Sequence, residues 1–441
     1  MKRNLLEALI AWKHDAEHPP IILRGARQVG KTSLVREFAQ QAFEQLVEVN
    51  FEQQPQTARC FTSLEPQQIL NNLYLQTGQH VEIGKTLLFL DEIQECPNAL
   101  KALRYFREQM PLLHVISAGS LLEFALNDSN LSMPVGRVQY FYLKPLSFRE
   151  FLQATNHTHL LEYLTNATLK EQVSSIVHQQ LLIKLREYFV IGGMPGIVYE
   201  YLRTGSLAKT QIAQINLLNL YRDDFGKYAP QVKHQYMRRI LEQTPGLIGE
   251  HIKYSKIDPD VGSREIKIAL DFLVRAGLLY RVYYSNASGL PLNAFINEKK
   301  FKLLFLDMGL CQAPSLLSPE ILLQDDVMLM NKGSLAEQFV GQELLAYQPH
   351  YIEGQLMYWE RHKPSSSAEV DYIINVDQEI IPVEVKAGKT GRLRSLQLFM
   401  QEHSTKVGIR ISSQPLSLEK GILSIPLYMV FELPRLVRSI I

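Results

Sequence analysis

Short apolar runs alternate with helical spacing through the first third of the chain. The apolar runs occupy residues 21–23, 87–90 and 112–120. Each is short and bounded by polar or small residues, which predicts buried strands. After the first run, Leu34, Val35 and Phe38 recur at helical spacing, which predicts a strand, a loop and a helix in that order. We therefore expect an α/β domain over residues 1–150.

The middle of the chain has a helical pattern that gives way to a hairpin pattern. Apolar-periodic runs such as "SSIVHQQLLIKLREYFVIGG" fill residues 151–228. Two further helices are expected in "QYMRRILEQTPGLIG" and "SREIKIALDFLVRAGLL", and Ser263 is expected to N-cap the second. The stretch "LLYRVYYSNASGL" then predicts a β-hairpin. Helices followed by a hairpin predict a winged-helix-like unit over residues 229–295.

The second of these helices is the candidate recognition helix of that unit. It carries Arg264, Lys267 and Arg275. Three cations are too few to require DNA binding, and winged helices also serve as protein contacts. DNA contact and a purely structural role both stay open for this helix.

Two alternating stretches flank the polar pair Asp377-Gln378 near the C-terminus, within "AEVDYIINVDQEIIPVEVKAGKTG". This pattern predicts two strands joined by a two-residue turn. The turn would pair Val376 with Glu379, and Asp371 would then lie opposite Glu384. One face of the hairpin would carry Glu369, Asp371, Glu384 and Lys386. The other would be a core face made of Tyr372, Ile374, Val376, Ile381, Val383 and Val385.

Composition adds limits rather than a function. The chain has 441 residues, a hydrophobic content of 46% and a net charge of +1, so any nucleic-acid surface would be a local patch. Cys60, Cys96 and Cys311 lie far apart, which argues against a disulfide framework or a zinc site and fits a reducing compartment. No apolar run is long enough to span a bilayer. We expect a cytoplasmic protein with no membrane partner.

Gly-Lys-Thr occurs three times, but only one copy completes a phosphate-binding loop. That loop requires a further glycine five residues before the second one, and only Gly25 meets this spacing, ahead of Gly30. Backbone N–H groups at the start of the following helix would hold the phosphates of ATP. Lys31 would reach the β- and γ-phosphates, and the Thr32 hydroxyl would bind Mg²⁺. The expected nucleotide-binding residues are Gly25, Ala26, Arg27, Gln28, Val29, Gly30, Lys31, Thr32 and Ser33.

A second motif supports the first. The buried strand in "KTLLFLDEIQECP" ends in Asp91 and Glu92, and carboxylates at such a position are costly unless they have a function. Asp91 suits Mg²⁺ coordination, either directly or through a residue or water that binds the ion, and Glu92 suits the general base that polarises the attacking water. Either Ser117 or Ser120 is a sensor of the γ-phosphate, or the strand that carries them is simply capped by a turn. Arg137 either stabilises the transferred phosphate or is a solvated loop arginine.

The stretches "RGARQVGKTSL", "LFLDEIQECP", "SAGSLLEF", "GRVQYFYLKPLSFREF" and "IGGMPGIV" occur in this order. Together they resemble a family of prokaryotic AAA-type ATP-binding proteins with a C-terminal domain of unknown function. The resemblance implies a P-loop NTPase with a parallel sheet and a helical lid over residues 151–228. The family's sensor strand usually ends in Thr-Gly-Ser, whereas this chain has Ala118, Gly119 and Ser120, which leaves Ser120 the better sensor candidate.

The charged face of the C-terminal hairpin predicts a metal site. Opposed carboxylates repel each other, and a divalent cation between them relieves the repulsion. Asp371, Glu384 and Lys386 have the arrangement of the minimal metal site of restriction-endonuclease-like nucleases, and Glu337 resembles the extra helix glutamate of that superfamily. A helix in "RLRSLQLFMQEH" and a strand in "KVGIRIS" would complete an α-β-β-β-α-β core within residues 296–441. The alternative is a solvated hairpin face of alternating charges.

Two functions follow from these patterns. In the first, Mg²⁺-dependent ATP hydrolysis drives action on DNA, and Asp371, Glu384 and Lys386 cleave phosphodiesters. Lys386 would either position or activate the attacking water or neutralise the pentacovalent phosphate. In the second, the chain is a nucleotide-dependent switch whose C-terminal domain is an inactive docking module. Assembly into a homo-oligomer is compatible with either function.

Overall fold

The computed structural model describes residues 1–119, 122–125, 135–171, 173–228, 230–315, 333–361, 368–386 and 393–441. The chain forms two compact units. The N-terminal unit comprises residues 2–144 and 349–353, and the C-terminal unit comprises residues 145–348 and 354–441. The helices at 151–228, which the sequence predicts as a lid, belong to the C-terminal unit. Its inner boundaries at 228 and 295 stay predictions.

The N-terminal unit is built on a parallel sheet of five strands in the order β2-β3-β4-β1-β5. Both faces of its central strands are covered, which is why the predicted runs are continuously apolar. All six residues of β3 are buried. The strands are β1 (Ile21–Arg24), β2 (Gln45–Asn50), β3 (Thr86–Asp91), β4 (His114–Ala118) and β5 (Gln139–Tyr142). The helices are α1 (Leu5–His14), α2 (Lys31–Ala42), α3 (Pro66–Thr77), α4 (Pro97–Gln109) and α5 (Leu122–Ala125).

The C-terminal unit contains an eight-stranded mixed sheet in the order β12-β13-β11-β10-β9-β8-β6-β7. The strands are β6 (Leu279–Ser285), β7 (Ile296–Phe305), β8 (Leu356–Glu360), β9 (Glu369–Val376), β10 (Glu379–Val385), β11 (Gly408–Ser412), β12 (Ser417–Glu419) and β13 (Ile422–Pro426).

The helices of the C-terminal unit fall before, between and after these strands. They are α6 (Phe148–Ala154), α7 (Thr158–Asn166), α8 (Ser175–Ile191), α9 (Pro195–Thr204), α10 (Leu207–Asp223), α11 (Phe225–Tyr228), α12 (Gln231–Leu247), α13 (Tyr254–Ile257), α14 (Ser263–Arg275), α15 (Met308–Gln312), α16 (Ser334–Ala346), α17 (Arg394–Glu402) and α18 (Leu433–Arg438). The run α16-β8-β9-β10-α17-β11 has the predicted α-β-β-β-α-β order.

The C-terminal hairpin has the predicted register. Val376 pairs with Glu379 and Tyr372 pairs with Val383 across the turn. The predicted core face is buried except for Ile374, which is half-buried. On the face predicted to carry the charges, Glu384 is only 4% exposed, whereas Glu369, Asp371 and Lys386 are half-buried. This face is therefore partly covered and is not a fully solvated one.

Two predictions about the preceding segment are wrong in detail. Gly262, not Ser263, is the N-cap of α14, and no side chain caps that helix. The stretch "LLYRVYYSNASGL" does not contain both strands of the predicted hairpin. Its strand β6 pairs with β7, which begins only at Ile296, so the connection between the two strands is longer than expected. Strand β6 also pairs with β8, so the two strands are part of the large sheet and do not form a separate wing.

A pair of buried histidines lies beside β4 in the N-terminal unit. The rings of His18 and His114 stack with their centroids 3.9 Å apart, and Trp12 packs edge-on against both. Burial lowers the pKa of His18, and burial together with the charge of His18 lowers the pKa of His114 to about 4. Both rings are therefore neutral in the folded unit at neutral pH.

This pair predicts an acid-sensitive N-terminal unit. Because the folded pKa of His114 lies below the unfolded value of 6.5, its stabilising effect is present above that value and is lost as pH falls toward 4. From pH 7.5 to 5.5 the free energy of unfolding should fall by about 1.4 kcal/mol more in the parent protein than in His114→Phe. The fluorescence of Trp12 in a Trp359→Phe background would report unfolding of this unit in denaturant. Equal losses in the two proteins would contradict the prediction.

Candidate functional site

The loop between β1 and α2 has the backbone that a phosphate-binding loop needs. Gly25 and Gly30 have φ values of 145° and 95°. A side chain at position 25 would lie 2.3 Å from the backbone oxygen of Leu143, so only glycine fits. The buried guanidinium of Arg3 donates to the backbone oxygen of Val29 at 2.9 Å and so supports the loop from outside the motif.

The side chain of Lys31 lies inside this loop. It is 7% exposed, and its Nζ donates to the backbone oxygens of Gly25 at 2.9 Å and Ala26 at 3.1 Å. Burial lowers the pKa of Lys31 to about 8. The loop thus surrounds one ammonium group with carbonyl oxygens, which places a positive charge where the motif predicts contact with phosphates.

Thr32 and Asp91 meet at the carboxyl end of β3. The Thr32 hydroxyl donates to Asp91 Oδ2 at 2.9 Å, and the Asn50 side-chain amide lies 3.3 Å from the same oxygen. Neighbouring oxygen ligands around an octahedral Mg²⁺ lie about 3 Å apart, so these two oxygens fit adjacent ligand positions. Burial raises the pKa of Asp91, and the hydrogen bond from Thr32 opposes this rise.

Glu92 is held by a residue that the sequence reasoning missed. Glu92 has a left-handed backbone with φ of 50°, and its N–H donates to Asp91 Oδ1 at 3.1 Å. Gln94 donates through Nε2 to Glu92 Oε2 at 2.7 Å. The available signal was the glutamine two positions after the acidic pair, in "DEIQ".

The other residues predicted for this site are partly or fully exposed, bonded to residues elsewhere, or outside the described residues. Arg27 is half-exposed, and Gln28 and Ser33 are exposed. Ser120 lies outside the described residues. The hydroxyl of Ser117, the other sensor candidate, donates to the backbone oxygen of Ile21 and so forms a hydrogen bond within the sheet. Arg137 forms an ion pair with Glu108 at 2.9 Å.

The C-terminal hairpin brings Asp371, Glu384 and Lys386 together as predicted. The backbone N–H of Val385 donates to Asp371 Oδ2 at 2.7 Å, and Lys386 Nζ lies 2.5 Å from Glu384 Oε1. Burial, followed by the charge of Asp371, raises the pKa of Glu384 to about 7. Among the described residues, the buried Oε2 of Glu384 has no hydrogen-bond partner. One carboxylate oxygen thus faces the cluster without a protein donor.

Glu337 joins this cluster from α16, as the sequence predicted. The Tyr372 hydroxyl donates to the backbone oxygen of Glu337 at 2.8 Å and fixes this turn of the helix against β9. Burial, followed by the charge of Asp371, raises the pKa of Glu337 to about 8. Oxygen donors that share a dry site and repel one another fit a hard divalent cation. Asp371 and Glu384, on paired strands, are therefore the candidate ligands of Mg²⁺ or Mn²⁺. Among the described residues, the set of three groups whose ligand atoms lie within 4.8 Å of one another is a different one, namely His251, Glu360 and Glu369.

Lys302 on β7 enters the same cluster and was not anticipated. Its side chain is 4% exposed, it forms an ion pair with Glu369, and its Nζ lies 3.6 Å from Glu337 Oε2. Burial alone would lower the pKa of Lys302, but the charges of Glu337 and Glu369 raise it, so the group is an ammonium ion. The sequence signal was a single lysine within the apolar run "FKLLF".

A histidine and a fifth carboxylate complete the cluster. His251 Nε2 lies 2.7 Å from Glu369 Oε2, and His251 Nδ1 lies 3.3 Å from Glu360 Oε2. Lys300 forms an ion pair with Glu360 at 2.9 Å. The loop that carries His251 is tied to β7, because Ile252 donates to the backbone oxygen of Phe301 at 3.0 Å.

Comparison with known proteins agrees with the geometry of the first site. Residues 17–152 match the family model of an AAA domain. This segment contains the loop, the acidic pair and all five strands of the parallel sheet. These residues have the phosphate loop and the parallel sheet of an AAA-type P-loop fold, and we call residues 17–152 the AAA domain. Residues 182–320 and 332–430 match two domains of unknown function, DUF8612 and DUF4143.

Solved structures resemble the chain only distantly. The Walker-type ATPase PABY2304 of Pyrococcus abyssi has 15% identity and a TM-score of 0.43 over 68% of this chain and 91% of its own. The RuvB Holliday junction branch migration motor of Thermotoga maritima has 17% identity and a TM-score of 0.29 over 64% of this chain and 90% of its own. No curated protein sequence matches the chain. Among the described residues, no helix is long and apolar enough to cross a membrane.

The contact between Gln94 and Glu92 generates a test within the AAA domain. If Glu92 is the general base that the sequence predicts, Gln94→Ala should lower kcat for ATP about tenfold, because the Glu92 carboxylate loses a hydrogen-bond donor, while KM for ATP changes little. Steady-state turnover of the full chain would measure both constants. Gln67→Ala, at an exposed glutamine on α3, is the matched control. A rise in KM with unchanged kcat would assign Gln94 to nucleotide binding instead.

Proposed function

We propose that the AAA domain binds Mg²⁺–ATP at the loop of residues 25–33 and hydrolyses it, and that the C-terminal unit acts on DNA as a metal-dependent nuclease. The first half rests on one observation above the others. Thr32 and Asp91 come from separate elements, α2 and β3, yet their oxygens lie 2.9 Å apart beside Lys31. This is the spacing of two adjacent magnesium ligands at the mouth of a phosphate loop.

Each residue has a role in this scheme. Backbone N–H groups of the loop and Lys31 bind the phosphates, and Thr32 with Asp91 holds Mg²⁺, which would offset phosphate charge when bound. Glu92 accepts a proton from the attacking water, and Gln94 orients Glu92. Arg137 and Ser120 remain candidates for contact with the γ-phosphate. The ion pair of Arg137 with Glu108 would have to break for Arg137 to take part.

The nucleotide assignment has a built-in control, because the chain carries an incomplete copy of the motif. Lys31→Ala should abolish ATP turnover, since the only buried ammonium of the described loop is removed. Lys85→Ala removes the lysine of the second Gly-Lys-Thr, whose side chain is half exposed and paired with Glu82, and should leave turnover unchanged. Phosphate release assays on both variants would measure this. Unchanged turnover in Lys31→Ala would refute the assignment.

The nuclease proposal rests on the cluster of Asp371, Glu384 and Lys386. Asp371 and Glu384 would hold one divalent cation, which when bound supplies Lewis-acid stabilisation of the phosphodiester charge. Burial alone would lower the pKa of Lys386, but its hydrogen bond with Glu384 raises it. Lys386 is therefore suited to offset negative charge on the phosphate rather than to remove a proton from water.

Exposed cations on α14 offer a path for the DNA backbone in the same unit. Arg264, Lys267 and Arg275 are all exposed. At 100° per residue they fall within one stripe of the helix, so their charges point the same way. Their contribution would be sequence-independent phosphate contact, in keeping with the small net charge of the chain.

A docking role for the C-terminal unit is the second candidate. The observation that favours it is the ammonium group of Lys302, which already lies between the carboxylates of Glu337 and Glu369. An internal cation relieves part of the repulsion that a metal would otherwise relieve. Under this reading ATP controls binding to a partner, and the carboxylate cluster is structural.

Cleavage assays separate the two candidates. Linear and circular DNA incubated with the purified full chain and Mg²⁺ or Mn²⁺ should be cut, and Asp371→Asn should reduce cutting by at least about a hundredfold because one metal ligand is lost. The control is Asp377→Asn, which removes a half-exposed carboxylate from the turn of the same hairpin and should retain activity. DNA left equally intact by the parent protein and by Asp371→Asn, with and without ATP, would leave docking as the function.

A further inference from the structure

Two lysines of β7 contact carboxylates of the cluster. Lys300 and Lys302 lie two positions apart on the strand, and their ammonium groups reach Glu360 and Glu369, which are paired between β8 and β9. Lys300 Nζ lies 2.9 Å from Glu360 Oε1, and Lys302 forms an ion pair with Glu369. Lys302 Nζ is also 3.6 Å from Glu337 Oε2.

The carboxylates outnumber the ammonium groups. Five carboxylates, from Glu337, Glu360, Glu369, Asp371 and Glu384, share this region with three ammonium groups, from Lys300, Lys302 and Lys386. Counted as ionised groups, and with His251 left out of the count, the five acids exceed the three lysines by two charges. One divalent cation would restore neutrality, and two would leave an excess of positive charge in a buried region.

The carboxylates that lack a lysine of β7 are those of Asp371 and Glu384. The lysines of β7 contact the other three carboxylates, whereas Glu384 has only Lys386 on Oε1 and no hydrogen-bond partner on its buried Oε2 among the described residues. Asp371 is held by a backbone N–H from Val385, which supplies no full charge. A dication would therefore bind between these two side chains.

A second set of ligand-type atoms lies nearby, but it is already balanced. One nitrogen of His251 and one oxygen each from Glu360 and Glu369 lie within 4.8 Å of one another, close enough to share a metal ion. Both carboxylates carry an ammonium partner, Lys300 on Glu360 and Lys302 on Glu369. A cation entering this set would be repelled by two fixed positive charges.

We propose that Lys300 and Lys302 are built-in counter-ions that restrict the cluster to a single divalent cation, bound between Asp371 and Glu384. Lys302 occupies the position in which Glu337 and Glu369 would otherwise contribute to a second metal ion. This inference rests on the proposed metal site of the C-terminal unit. It makes the unit a one-metal centre, in which Lys386 rather than a second cation offsets charge on the scissile phosphate.

The test counts bound Mn²⁺ on the full chain without nucleotide, by equilibrium dialysis and by electron paramagnetic resonance. An Asp91→Asn background removes the magnesium ligand of the AAA domain. We expect one tightly bound Mn²⁺ in this background and two after Lys302→Met. The further double change Asp371→Asn with Glu384→Gln should abolish tight binding. Lys299→Met, at the exposed neighbour on the opposite face of β7, is the matched control and should leave the count at one.

Lys302→Met could misfold, because the carboxylates of Glu337 and Glu369 lose their ammonium partner. A second variant at this position keeps the test decisive in that case. Lys302→Gln keeps an uncharged hydrogen-bonding group at this position, and the count should again rise to two. Spin coupling between two Mn²⁺ ions in either variant would show that they occupy neighbouring positions. A count that stays at one in both variants overturns the counter-ion role.

The remaining outcomes distinguish this inference from the proposed function. Two Mn²⁺ ions in the background protein would overturn the one-metal inference and leave the metal site intact. No bound Mn²⁺ in the background protein or in the Lys302 variants would overturn both the inference and the nuclease proposal. No bound ion in the background protein but one in Lys302→Met would show that the lysine replaces the metal, which overturns both and supports the docking role.

Discussion

Negative charge held away from water is the constraint on which both candidate sites depend. Asp91 and Glu384 are each 4% exposed, and burial raises the pKa of both carboxyl groups. A buried carboxylate is tolerated when donors and cations surround it. In the AAA domain the donors are Thr32 and Asn50. In the C-terminal unit, lysines from two strands surround the acids.

A second set of buried polar contacts explains motifs that carry no chemistry. The backbone N–H of Gly193, in "IGGMPG", donates to Asp307 Oδ2 at 2.6 Å, and a side chain at Gly193 would lie 2.1 Å from the backbone oxygen of Leu146. Phe148, in "PLSFREF", donates its N–H to Glu343 Oε1 at 2.9 Å. These contacts join α6, α8, α15 and α16 of the C-terminal unit. The motifs therefore encode close backbone approach and not a catalytic role.

Motif spacing was a good guide wherever the chemistry lies within one element or one turn. The number of residues from Gly25 to Lys31 predicts a loop at the start of a helix. The alternation of apolar and polar residues around Asp377 predicts the register of the hairpin. Spacing was a poor guide at element ends. Ser263 has the chemistry of an N-cap, but the helix begins one residue earlier than expected because Gly262 takes that position. The return strand of the hairpin after α14 was placed too early because residues 286–295 form a connection longer than a tight hairpin turn.

The sequence by itself determined the phosphate loop, the acidic strand end, the α-β-β-β-α-β order and the register that opposes Asp371 with Glu384. These follow from backbone periods of two and 3.6 residues, which act over short distances along the chain. Only the tertiary structure decided which charges neutralise the carboxylates. Lys302 and His251 lie far from Asp371 in the sequence, and no local pattern marks them as its neighbours. Their roles arise because strand pairing and burial bring them to the same acids, and charge balance in a dry region depends on every group within reach.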